Sequence, residues 1–117
     1  MVSIKRVYED TSDGDGERIL IDRLWPRGLA KAKAAIDLWA KEVAPTSELR
    51  IWFGHRPERF DEFRTRYLDE LNSNPAAAAL RKRITRKKAT LLYAAKDPVH
   101  NHAVVLAEFL HPGRHRS

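Results

Sequence analysis

Two short stretches carry most of the groups that could do chemistry. The first is Asp22-Arg23-Leu24-Trp25-Pro26-Arg27-Gly28, with a carboxylate, two guanidinium groups and an indole close together. Guanidinium forks match phosphate or carboxylate oxygens in pairs. Arg23 and Arg27 are therefore candidate anion ligands. Trp25 is a candidate wall or stacking surface, and Asp22 a carboxylate able to orient an arginine or a histidine. The plainer alternative is that Asp22 pairs with an arginine and Trp25 caps the core.

The second stretch is Lys96-Asp97-Pro98-Val99-His100-Asn101-His102. Asp97 is a good helix N-cap and Pro98 a good first helical residue, so a helix is predicted to start there. Its first amides, near Val99 and His100, would have no helical acceptor and would favour an anion. The positive helix end disfavours imidazolium, which fits His100 and His102 as proton acceptors. Lys96 and Asn101 join the candidate ligand-binding set. His102 also lines up with Leu106, as a core histidine would. Two positions apart on a helix, the histidines diverge by about 200° and do not chelate one ion. No metal and no other cofactor is expected. His55, after Gly54 and between two helical segments, is a further candidate for the same crevice, or else a surface residue.

The elements that must position these groups follow from periodicity. Ser3–Tyr8 reads as a first strand and 9–16 as an acidic loop with Asp-Gly turn signals. Arg18–Asp22 and Ala89–Ala94 are short continuous apolar strands of the kind buried on both faces. The segment 30–43 reads as a loop followed by a short helix or strand. Pro45–Glu48 opens a short helix running to Phe53, with Gly54 as its left-handed stop. Phe60, Phe63, Tyr67 and Leu71 recur at spacings of 3, 4 and 4 and mark one helix face. Ala76–Arg86 is helical, with Leu80 and Ile84 inward, and 100–110 forms a last, nearly all-apolar helix.

The expected fold is α/β, a small, mostly parallel sheet flanked by helices in a three-layer-like single domain over 1–110. A mobile basic tail is expected over 111–117. Ligands of open α/β sheets sit outside the carboxyl ends of the strands. That rule brings 22–28 and 95–102 to one crevice, and places Asp22 and His102 in it together.

The 117 residues hold 22 basic and 16 acidic side chains, a net charge of +6. The balance is uneven, with 8 basic and 9 acidic residues in 1–48 but 14 and 7 thereafter. An anionic partner is favoured. Six of the eight residues in 81–88 are basic. That run could track phosphates, but no aromatic residue interleaves with it to stack bases, so a solvated helix face is preferred. Cysteine is absent, which excludes disulfides, thiolate metal sites and cysteine nucleophiles. No run approaches the roughly 20 apolar residues of a membrane span, and no apolar signal region opens the chain. A cytoplasmic location is expected, with no membrane partner.

Four ordered stretches, Arg18–Gly28, Asp37–Pro45, Trp52–His55 and Leu91–Ala103, resemble the YeaO-like branch of the domain of unknown function 488 family. The resemblance spans roughly 3–110 and carries no settled activity. In the wider family a strand leads into a Cys-His-Arg triplet that opens a helix. Here Asn101, His102 and Ala103 stand in its place, so any chemistry of that cysteine is lost, whereas Asp22, Arg23 and His102 persist. The preferred function is binding of a small anionic, phosphorylated or nucleotide-like ligand in the crevice, with room for histidine-assisted acid/base chemistry. The alternatives are a nucleic-acid-binding module using the basic half, or a non-catalytic interaction or regulatory domain.

Overall fold

Residues 2–111 are described by a computed structural model. The two apolar runs form adjacent parallel strands. Strand β2 (Glu17–Leu20) pairs with β4 (Ala89–Tyr93) in the register Glu17 with Ala89 and Leu20 with Leu92. Ladder bonding continues past the formal end of β2, where the Ile21 amide donates to the Leu92 carbonyl at 3.1 Å. Every residue of β4 is buried, as a central strand requires. Strand β1 (Val2–Arg6) flanks β4 on its other side, and the two-residue β3 (Leu38–Trp39) flanks β2. All pairings are parallel, in the order β1-β4-β2-β3.

Gly16 permits the close start of β2. Its φ is +65°, and a Cβ there would lie 2.2 Å from the Lys88 carbonyl oxygen. That oxygen accepts the Glu17 amide, the first rung between the two strands.

Alternation along the strands sends side chains to two faces. Ile19, Ile21, Leu91 and Tyr93 enter the main core. There α2 (Ser47–Phe53), α3 (Phe60–Asn72), α4 (Pro75–Ile84) and α5 (His102–Leu110) supply Phe53, Phe63, Tyr67, Leu80 and Leu106. Leu20 and Leu92 point the other way. With Val7 they meet Trp25, Leu29, Ile36 and Trp39, from the segment that contains the short α1 (Lys31–Ala34). Helices, sheet and this thin cover make the three layers of an α/β domain.

The apolar periodicity of α3 is realised: Phe63, Tyr67 and Leu71 are buried along one face. Thr46 caps α2, its hydroxyl accepting the Leu49 amide, and Gly54 ends that helix at φ 55°.

Several boundaries differ from expectation: β2 ends at Leu20 rather than Asp22, and α4 at Ile84 rather than Arg86. Strand β1 stops at Arg6, where the Glu9 carboxylate takes the Arg6 amide and turns the chain. The last helix starts at His102, not at Pro98. Asp97 does act as a cap, but of a tight turn: its Oδ1 accepts the Val99 and His100 amides at 2.8 and 3.1 Å. The helix is capped instead by Asn101, whose Oδ1 accepts the Val104 amide at 3.1 Å. The tail expected over 111–117 lies, from residue 112 onward, outside the described residues. No helix among the described residues is long and apolar enough to cross a membrane.

Candidate functional site

The carboxyl ends of β1, β4 and β2 open onto a cleft of about 840 Å³. Asp22 leaves the end of β2, and His102 is the first residue of α5. Although eighty positions apart, they meet with His102 Nε2 3.0 Å from Asp22 Oδ1. The juxtaposition expected from parallel topology is present.

The pair is held from several directions. Asp22 Oδ2 accepts the Ala94 amide at 3.2 Å, tying the β2 end to the β4 end. The Trp39 indole donates to the Asp22 backbone carbonyl at 2.7 Å. His102 Nε2 also lies 3.2 Å from the Ile21 carbonyl oxygen. Both neighbours of Nε2 are acceptors, so Nε2 carries the hydrogen. The hydrogen is aligned with Ile21, and Asp22 Oδ1 is buried without an in-line hydrogen bond. His102 Nδ1 has no protein partner among the described residues. With Nε2 carrying the hydrogen, Nδ1 can accept from a ligand, and the ring of His55 also lines the cleft.

Five cationic side chains line the cleft: Arg6, Arg23, Arg27, Arg50 and Lys96. Two of them are tied down. Arg6 donates to the carbonyls of Ala94 and Ala95, and Arg23 to those of Ala44 and Pro45. Arg23 therefore braces the loop before α2, with its Nε buried and unpartnered. The side-chain cations of Arg27, Arg50 and Lys96 are on exposed residues and have no hydrogen bond or ion pair among the described residues. The cleft's two carboxylates are engaged. Asp22 is held as above, and Asp97 accepts two amides and faces His100 Nδ1 at 2.8 Å. The Val99 and His100 amides, with help from the His100 ring, hold the Asp97 carboxyl down at about 2.

Several expected ligand groups have other duties. The Val99 and His100 amides, expected to receive an anion, are satisfied by Asp97 itself. Trp25 does not line the cleft. It packs edge-on against Trp39 at 5.4 Å on the opposite sheet face, and its Nε1 donates to the Leu29 carbonyl. Strand β2 ends at Leu20, and the irregular segment that follows carries Trp25 to the sheet face of Leu20 and Leu92. His100 also lies outside the lining, with its ring edge-on to Phe60 at 5.3 Å. Asn101 does line the cleft, but Nδ2 donates to the Asp97 carbonyl and Oδ1 caps α5, so both ends of its amide are engaged. His55 is at the cleft, in left-handed backbone at φ 59°.

Arg6, Tyr8 and Arg50 were not foreseen. Arg6 ends a parallel strand, so the carboxyl-end rule pointed to it. Arg50 lies three positions before Phe53, on the same helix side, which is the signal that could have placed it. Tyr8 donates to the Arg27 carbonyl at 2.7 Å and fixes the loop that presents Arg27.

Chemically, this is a cleft with three cations that have no hydrogen-bond or ion-pair partner among the described residues, a histidine nitrogen able to accept, and an apolar floor. No serine, threonine or cysteine is among its lining residues.

The basic run is not a free stripe. Arg81 lies over the Phe109 ring at 4.1 Å and donates to the Phe109 carbonyl, while Arg83 pairs with Glu17.

Fold and cleft together define a small parallel α/β domain with a cation-lined site at its strand ends. The chain belongs to the domain of unknown function 488 family: the family model described as "Inactive DUF488-N3 subclade" matches residues 1–116. It is 44% identical over 110 residues to "Uncharacterized protein YeaO" of Escherichia coli, covering 93% of this chain and 96% of the relative. It is 47% identical over 109 residues to "Uncharacterized protein Rv3073c" of Mycobacterium tuberculosis, covering 93% and 92%. "Uncharacterized protein Mb3100c" of Mycobacterium bovis shows the same identity and coverage. No solved structure matches the chain significantly.

Proposed function

We propose that this protein is a non-catalytic binding domain whose cleft holds a small anionic ligand, phosphorylated or nucleotide-like. The observation that carries this reading is the excess of cations in the cleft, five against the carboxylates of Asp22 and Asp97, with Arg27, Arg50 and Lys96 making no ion pair or side-chain hydrogen bond among the described residues. Unpaired cations around a concave, mostly apolar site favour an anion. Arg27 and Lys96 approach from the strand-end loops and Arg50 from α2. His102 Nδ1 offers an acceptor to a ligand hydroxyl or amine.

Binding without turnover is the better reading for two reasons. Asn101, where the wider family pattern has a cysteine, is 2% exposed and spends both amide atoms on the local fold. Ala103, at the arginine position of that pattern, is fully buried. The subclade description as inactive agrees with this. The nucleic-acid reading is weaker, because Arg81 and Arg83 are engaged within the domain.

The test is amide chemical-shift mapping with phosphate, sulfate and a nucleoside monophosphate. Saturable shifts centred on residues 22–27, 50–55 and 94–102 are expected. Shifts confined to 81–88, or none below about 10 mM, which corresponds to less than about 3 kcal/mol of binding, would refute it.

A further inference from the structure

Most of the cleft surface is not charged. Leu24, Ala44, Phe53, Phe63, Ala94 and Ala95 all line it. Phe53 and Phe63 stack at 4.4 Å and form a rigid aromatic base. Leu24 is 67% exposed, one of the few large apolar side chains left open to solvent among the described residues. Its place on the cleft wall means that an occupant would cover it.

Two of the uncharged hydrogen-bonding groups of the lining are engaged within the domain. Asn101 uses both ends of its amide, and the Tyr8 hydroxyl donates to the Arg27 carbonyl. The remaining polar contacts come from charged groups and histidines. Each sugar hydroxyl desolvated without a partner costs affinity, and the neutral side chains of this cleft leave few partners beyond the cations that an anionic group would occupy. Its volume of about 840 Å³ is also far more than an inorganic anion fills. It falls within the range of roughly 300–1,000 Å³ that takes a whole organic ligand.

From these observations, and resting on the anion reading above, we infer that the ligand joins its anionic group to a flat, apolar body: an aryl phosphate rather than a sugar phosphate. The anionic group meets Arg27, Arg50 and Lys96, and the body lies over Phe53 and beneath Leu24.

Calorimetric titration of phenyl phosphate, ribose 5-phosphate, inorganic phosphate and phenol tests this on the parent and on Leu24→Ser. Leu24 is exposed, so the variant keeps its fold, which its unfolding curve verifies. Phenyl phosphate is expected to bind at least about 10-fold more tightly than ribose 5-phosphate or inorganic phosphate. Leu24→Ser should weaken phenyl phosphate about 5-fold and leave inorganic phosphate unchanged. Equal affinity for the three phosphates, or tighter binding of the sugar phosphate, would overturn the apolar-body inference while leaving the anion reading intact. Binding of phenol as tight as phenyl phosphate, or no binding by any of the phosphates, would remove both.

Discussion

Removing the Asp22 carboxylate separates two roles that it combines at the cleft. In Asp22→Ala the Ala94 amide loses its acceptor, and a partly buried N–H left unpaired costs about 1–3 kcal/mol. His102 Nε2 keeps the Ile21 carbonyl, so its loss is smaller. The Trp39 bond to the Asp22 backbone survives either change. The expected destabilisation is about 2 kcal/mol, which for a domain of this size lowers Tm by about 8 °C. Asp22→Asn keeps an acceptor for Ala94 and should lose less than about 1 kcal/mol, although its amide then faces a nitrogen that already carries a hydrogen. Denaturant unfolding of the parent and both variants measures the order directly. An Asp22→Ala variant as stable as the parent would refute the strand-tying role. Equal losses in the two variants would show that the negative charge, not the hydrogen bond to Ala94, is what the fold needs.

Within the basic run, Arg81→Ala should cost about 1–2 kcal/mol through its lost bond and ring contact at Phe109, whereas Lys82→Ala should stay within about 0.5 kcal/mol. Denaturant midpoints at constant m check that contrast. Tyr67→Phe should cost about 1–2 kcal/mol, because the buried hydroxyl donates to the Val43 carbonyl at 2.6 Å. Burial pushes the Tyr67 hydroxyl well above its ordinary pKa and raises Tyr93 as well, so in ultraviolet titration these two should ionise above the ordinary tyrosine range, Tyr67 last, and both should shift back on unfolding. On the acid side, Asp97 is held at about 2, and Asp15 is held well below the carboxylate range by the Ser12 amide and the charges of Lys5 and Arg18. A depressed folded-state pKa gives stability that is complete above the unfolded value near 4 and is lost as pH falls toward the folded one. Stability should therefore be level in this respect above about pH 5 and fall between 4 and 2, and Asp97→Asn should flatten part of that fall.

Much of this arrangement was legible in the chain. The apolar runs at 18–22 and 89–94 are too short and too continuous for surface helices, and parallel strands follow from them. Parallel strands put their trailing loops at one edge, which is why Asp22 and His102 could be brought together across eighty positions. The helix start was misplaced because Asp97-Pro98 and Asn101 both carry start signals. Asp97 closes its own turn, and only Asn101 stands where α5 can lie across β1 and β4. Trp25 was assigned to the cleft because sequence adjacency to Arg23 says nothing about which sheet face a loop returns to. Strand β3 has two residues and owes its existence to the edge of β2, a tertiary cause with no local signature. Arg50 was hidden among helix residues whose outward position becomes a site only when α2 packs beside the strand ends.

Affinity for phenyl phosphate, measured by calorimetry in the parent and in Arg27→Ala, Arg50→Ala and Arg83→Ala, tests the central claim most directly. A charge-assisted contact to an exposed guanidinium is worth about 10-fold in affinity. The two cleft variants are predicted to lose about that much each, while Arg83→Ala, whose partner is Glu17 on the surface, should bind as the parent does. Parent-like binding in both cleft variants, or a loss in Arg83→Ala equal to theirs, would contradict a cation-lined anion site at the strand ends.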